Sequence, residues 1–161
     1  MNPEDDLIAL ARGFLDGFSA TPFADLRAAL VEADSFDDAV ERLGGDPFAK
    51  YLSEIVDPRV QVEVDFPGAE ILTGGSGRDA FWRFWSDWLE PWDDLRISAS
   101  NFTREANHVF IDFRVEAEGG RSGASVELEG CQAWTFQNGK LVGYAIYPDR
   151  AKAMAIKYEG G

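Results

Sequence analysis

From Leu95 onward the chain stops repeating every three or four residues and begins to alternate. The segments LRISASNF, VFIDFRVEAE, SGASVELEGCQAWTF and KLVGYAIY alternate or run apolar, and REANH, GGR and QNG separate them. A strand turns successive side chains to opposite faces, so these segments read as strands that offer one face to a core. Their short polar separators join neighbouring strands in antiparallel fashion. One layer of this kind cannot bury its own apolar face, so the preceding residues must supply the covering layer.

Those residues are mostly helical in period. Asn2 is placed to cap a helix with Pro3 at its first position and Glu4, Asp5 and Asp6 at its positive end. Leu7, Leu10, Ala11, Phe14, Leu15 and Phe18 then recur at helical spacing. Between Pro22 and Gly45 two short helices are expected, with Leu26, Ala29, Leu30 and Ala33 in the first and Ser35 capping the second before Phe36, Val40 and Leu43. Phe48, Tyr51, Leu52 and Ile55 continue helically to Asp57-Pro58, after which Val60, Val62 and Val64 alternate with Gln61, Glu63 and Asp65 as a first strand. A turn-rich loop, GAEILTGGSG, leads to RDAFWRFWSDWLEPW, a helix closed by Pro91 and Asp93-Asp94, and Asp149 caps a last helix through Ile156. Helices, a strand, a helix and a meander make an α+β fold, with helices on one face of a curved antiparallel sheet. No internal repeat or linker divides the 161 residues, so one domain is expected.

Charge and composition narrow the function. A net charge of −14 repels phosphate backbones and anionic lipid surfaces, and no cluster of Lys and Arg runs against it, so nucleic acid and membrane are not expected as partners. Cys131 is the single cysteine and His108 the single histidine, which excludes an internal disulfide, the usual zinc sets and most Cys-His nucleophile systems. Neither a metal nor a cofactor is expected. Acidic NPEDD after Met1 is unlike a secretory leader, so a cytoplasmic location is expected.

The tryptophan helix admits three uses. Phe81, Trp85, Trp88 and Leu89 share a face with Trp92 close to it, Trp82 and Phe84 widen the stripe, and Arg83, Ser86, Asp87 and Glu90 are left for solvent. Such a stripe fills a core, anchors a partner, or walls a ligand pocket; a helix inside a domain usually spends it on its own core, and core and pocket wall are compatible. GGSGR lacks the Lys-Ser/Thr ending of a phosphate loop, and Asn101-Phe102-Thr103 is a glycosylation sequon without a secretory context. His108 is expected as an exposed turn residue. Asp112 and Arg114 share one face of a strand, as part of a site or of a charged outer surface. Asp65 ends an apolar strand before Phe66-Pro67-Gly68; it is either a solvated strand-end carboxylate or a base at the mouth of an apolar cavity, where desolvation would raise its basicity.

Taken together, GRDAFWRFWSDWLEPWDDLRI, the hairpin after it and EGCQAWTFQNGKLVGYAIYPDRAKAM resemble the SnoaL-like branch of the nuclear-transport-factor-2-like superfamily, over Asp46 to Ala155 and helix one. The resemblance implies a cystatin-like cone, a bent sheet wrapped around helices with a deep apolar pocket, and a homodimer through the outer sheet face. Phe14, Phe18, Tyr51, Trp85 and Trp88 would then line the pocket from the helices, and Ile111, Phe113, Val115, Trp134 and Ile146 from the sheet. The 22–45 segment would be a helical insertion that caps the pocket or meets a second subunit.

The superfamily includes isomerases, cyclases, dehydratases, epoxide hydrolases and non-catalytic members, so the residues must discriminate. VEVDFPG is similar to the ketosteroid isomerase segment that carries the general base, which puts that role on Asp65. FRVE resembles that enzyme's matching strand and implies that Val109, Ile111, Phe113 and Val115 face inward while Asp112 and Arg114 face out. Gln132 aligns with the acid that stabilises the oxyanion, and its amide is able to donate to a developing enolate. The partner tyrosine aligns near Gly13 or Phe14, so Tyr144 is the candidate phenol. The limonene epoxide hydrolase set falls on Ile111, Phe113 and Ile146, which rules out that mechanism, and the overall likeness is greatest to the polyketide cyclases. The expected function is therefore binding of a small apolar, carbonyl-bearing molecule, with cofactor-free isomerase or aldol-cyclase chemistry on Asp65, Gln132 and Tyr144; the alternative is a non-catalytic ligand-binding or dimeric interaction protein.

Overall fold

A computed structural model describes residues 3–44, 47–65, 74–119 and 125–159. Along the chain these form α1 (Pro3–Ala20), α2 (Phe23–Val31), α3 (Phe36–Leu43), α4 (Pro47–Ile55), β1 (Val56–Val64), β2 (Gly75–Ser76), α5 (Arg78–Leu89), β3 (Trp92–Glu105), β4 (His108–Gly119), β5 (Ser125–Gln137), β6 (Lys140–Tyr147) and α6 (Arg150–Glu159). The expected Asn2 cap, the Phe66–Gly68 stretch and most of the loop after it lie outside the described residues.

Local chemistry accounts for several element ends. Ser35 Oγ accepts from the Asp38 amide at 3.1 Å and opens α3, while Asp149 Oδ1 accepts from the Lys152 amide at 2.8 Å and opens α6. Asn138 and Gly139 both take positive φ, 52° and 76°, which closes the β5–β6 hairpin at the QNG signal. Trp92 belongs to β3 and not to the preceding helix, because Pro91 ends the helical run and the chain turns at once into the sheet.

The sheet runs β2-β1-β6-β5-β4-β3. β3 to β6 form the antiparallel meander that the alternation predicts. β1 joins it in parallel with β6, pairing Val62 with Tyr144 and Val64 with Ile146, a neighbour no local signal announces. The short β2, in a stretch expected to be loop, pairs Ser76 with Gln61. Register shifts interrupt β3 between Ser100 and Thr103, β1 between Val56 and Gln61, and β5 between Thr135 and Phe136. Such shifts increase local twist and bend the strands, so the sheet curves into an open cone.

Its two faces differ. Val60, Val62, Ile111, Phe113, Trp134, Tyr144 and Ile146 turn inward and pack with Phe14 and Phe18 of α1 and the tryptophan face of α5. Phe110, Cys131, Ala133, Ala145 and Tyr147 turn outward and are covered by Ala153 and Met154 of α6. Beyond α6 the outer face is charged, with Arg114 bonded to Glu127 at 2.7 Å.

α2 and α3 form a roof on α5. Trp82 Nε1 donates to the Leu30 carbonyl at 2.8 Å, the Phe36 amide donates to Asp79 Oδ1 at 3.0 Å, and Arg27 Nε donates to the Leu89 carbonyl at 3.3 Å. Because this roof and the sheet both cover α5, Ser86 is 8% exposed, against the expectation that it faces solvent. No described helix is long and apolar enough to cross a membrane.

Candidate functional site

An aromatic layer fills the cone between helices and sheet. The Phe14 ring meets Trp134 edge-on at 4.9 Å, Trp85 lies 5.8 Å from Tyr144, and Trp134 meets Tyr144 at 5.4 Å. Trp88 extends the layer, stacked on Trp85 at 5.4 Å and edge-on to Phe113 at 6.2 Å. Each such pair adds about 0.5–1.5 kcal/mol beyond area burial, so the layer contributes to stability as well as filling the cone. Tyr51 reaches it from α4 by passing over Gly13, where an added Cβ would stand 3.1 Å from the Tyr51 ring. Burial pushes the Tyr51 phenol up, with the Phe14 backbone opposing.

Beneath the layer, the inner wall of the sheet carries polar atoms in an apolar setting. Gln132 is fully buried between its cross-strand neighbours Ile111 and Ile146. Its Oε1 accepts from Trp134 Nε1 at 2.9 Å, while its Nε2 has no partner. Tyr144 Oη and Trp85 Nε1 are also buried without a partner. Burial drives the Tyr144 phenol up, so it is neutral at physiological pH. An unpaired buried donor costs about 1–3 kcal/mol, so three of them on adjoining side chains are a marked departure from ordinary core chemistry.

Above the layer, under the roof, lies an apolar cavity of about 20 Å³, lined among others by Phe14, Phe18, Leu30, Phe36 and Trp85. It has room for about one water but offers that water no polar wall. Of the residues expected to line a pocket, Phe14, Phe18 and Trp85 border this cavity and Tyr51 packs beside Phe14. Trp88, Ile111, Phe113, Val115, Trp134 and Ile146 belong instead to the packed core that Gln132 and Tyr144 adjoin. Gln132 and Tyr144 do come together on the inner wall, on adjacent strands.

Asp65 is placed elsewhere. Its amide donates to the Ile146 carbonyl at 3.0 Å, and its half-exposed carboxylate lies 3.0 Å from Lys152 Nζ of α6, the helix on the outer face. The alternation explains this: Val60, Val62 and Val64 face the core, so the next residue turns away from it. His108 begins β4 and its Nδ1 is 2.9 Å from Thr135 Oγ1, so it is not the exposed turn residue expected. Asp112 and Arg114 face out, Asp112 held by Arg150 Nε and Asn101 Nδ2, both at 3.0 Å. Sequence reasoning missed Trp85 Nε1 as a polar group, because a helical stripe reports the indole's apolar body and not where its N–H ends. The Gln132–Trp134 bond had a signal: residues two apart on a strand share a face.

A bent, open sheet wrapped around N-terminal helices is the cone of nuclear-transport-factor-2-like proteins, and this chain has that architecture. The match of residues 33–144 to the SnoaL-like domain model shows that the chain belongs to the SnoaL-like family. Among solved structures it is similar to a candidate SnoaL-like polyketide cyclase from Jannaschia sp. CCS1, at 15% identity over 96% of this chain and 94% of that one, with a TM-score of 0.65. A nuclear-transport-factor-2-like protein from Anabaena variabilis matches at 15% identity over 93% and 98%, with a TM-score of 0.60. A candidate isomerase from Rhodopseudomonas palustris matches at 15% identity over 79% and 95%, with a TM-score of 0.52. At such identities the likeness carries the fold. No curated protein sequence matches the chain.

Proposed function

We propose that the protein is a receptor for a small, neutral, largely apolar molecule that carries a carbonyl or similar oxygen and enters the aromatic layer of the cone. The observation behind this reading is the set of unpartnered groups Gln132 Nε2, Tyr144 Oη and Trp85 Nε1 in a largely apolar interior, with Tyr51 Oη, also buried without a partner, beside Phe14. Ligand sites are built in this way, from aromatic walls with a few convergent polar groups. Apart from tyrosine and tryptophan, the polar side chains buried as a whole among the described residues are Thr21, Ser86 and Gln132, all uncharged, while Arg104, near the end of β3, buries an unpartnered Nη1. The cavity of about 20 Å³ is too small for such a molecule, so binding requires the packing around it to open.

Proton transfer with Asp65 as base, in the manner of the isomerases and cyclases of the superfamily, has weaker support. The Asp65 carboxylate is occupied by Lys152 on the outer side, and the inner wall supplies donors without a base. Pairing through the outer sheet face is similarly disfavoured, since Glu116, Glu127 and Glu129 are exposed there and a two-fold contact would bring such a surface against itself. A thermal-shift series with small aromatic ketones tests the receptor reading, because a ligand of the folded state raises Tm. Stabilisation that weakens in both Gln132→Leu and Tyr144→Phe is the expected result. Stabilisation lost in Asp65→Asn and kept in those two variants would overturn it.

A further inference from the structure

Gln132 has an amide with an oxygen on one side and an NH₂ on the other, and which side faces a ligand decides what that ligand must offer. On this wall the choice is made by Trp134. An indole N–H only donates, so at 2.9 Å it must be met by an acceptor, which fixes the Gln132 oxygen on the Trp134 side. The NH₂ is then left pointing away from that bond, buried and without a partner. Trp134 is itself held: it is fully buried, edge-on to Phe14 at 4.9 Å and to Tyr144 at 5.4 Å, and its backbone pairs with Val109 on one side and Tyr144 on the other. A buried indole so clamped has no other direction in which to aim its N–H.

We infer that Trp134 is a positioning residue: its indole turns Gln132 so that the carboxamide NH₂, and not the oxygen, meets the bound molecule, which makes this point of the site selective for a hydrogen-bond acceptor such as a carbonyl oxygen. The inference rests on the receptor reading above and adds to it the polarity of the recognised group. Trp85 Nε1 offers a second donor of fixed sense, and the Tyr144 hydroxyl is able to donate or accept. A ligand whose matching atom is itself an N–H donor would face the Gln132 NH₂ and leave both hydrogens unpaired.

Three bicyclic probes of similar shape separate the possibilities: 1-indanone, which accepts at its carbonyl, indole, which donates at its N–H, and indane, which does neither. Binding is measured by titration calorimetry on the full chain. Wild type is expected to prefer 1-indanone to indole by about tenfold, the cost of an unpaired donor. In Trp134→Phe the ring volume is largely kept and the N–H is lost, so the amide is free to present either edge and the preference falls towards one. In Gln132→Leu the preference of 1-indanone over indane shrinks, which tests the amide donation that the positioning role requires, should Trp134→Phe fail to fold by circular dichroism. An unchanged 1-indanone to indole ratio in folded Trp134→Phe overturns the positioning role while leaving the receptor reading intact, whereas an unchanged 1-indanone to indane ratio in Gln132→Leu removes Gln132 as a recognising donor and overturns the positioning role together with that part of the receptor reading. Binding of none of the three probes by wild type overturns both.

Discussion

Cys131 and Gln132 are adjacent on β5 and sit in opposite chemistries. On the Cys131 side, under and around α6, polar groups have found each other: Tyr147 Oη donates to Glu63 at 3.2 Å, Asp65 pairs with Lys152, and Arg150 donates to Asp112, Thr103 and the Asn101 and Phe110 carbonyls. On the Gln132 side, Gln132 Nε2, Tyr144 Oη and Trp85 Nε1 have found nothing. The outer face is thus finished by its own residues and the inner one is not. Polar groups buried at a loss persist where something other than stability retains them, and this contrast is why the inner wall and not the outer cluster is read as the site.

The contrast has measurable consequences. Trp85→Ala removes the centre of the aromatic layer and is expected to cost about 3–5 kcal/mol in urea denaturation. If its cost is no more than that of a surface change, the layer is not the structural centre of the cone. Arg150→Met is next: it removes donations to four acceptors at the edge of the outer face, of which Asp112 keeps Asn101, and is expected to cost about 1–3 kcal/mol by the same measurement. Tyr144→Phe should move stability the other way. It deletes a buried hydroxyl that has no partner, so a gain of about 1 kcal/mol is expected, seen as a Tm higher by a few degrees, together with weaker binding of aromatic ketones. A destabilised Tyr144→Phe would mean that the hydroxyl is satisfied and would erase the difference between the faces. The smallest effect belongs to Lys152→Met, whose partner and itself are each 47% exposed: under about 1 kcal/mol, and vanishing in molar salt.

Much of the framework could be read from particular residues. The alternation on β4 put Val109, Ile111, Phe113 and Val115 on one face and Asp112 and Arg114 on the other, because a strand permits no other arrangement, while which face is the inner one came from the resemblance and is the one observed. Ser35 and Asp149 announced their helices, since a cap acts on amides two or three residues away. The tryptophans of α5 were legible as an inward stripe. Their polar tips were not: whether Trp85 Nε1 finds an acceptor depends on side chains from other elements, whereas Trp82 Nε1, three residues earlier, reaches the Leu30 carbonyl.

The sequence by itself determined what short-range physics governs: where helices begin, which strand positions face the core, where the chain turns, and that four strands follow one another in a meander. Tertiary structure alone decided that β1 lies parallel to β6, that α2 and α3 roof the tryptophan helix, that the Asp65 carboxylate meets Lys152 outside the cone, and that the Gln132 amide is turned by Trp134. The physical reason is the range of the interactions. Periodicity and capping are settled within a few residues, while the partner of a strand edge, a carboxylate or an amide is whatever the closed chain brings within about 3 Å of it.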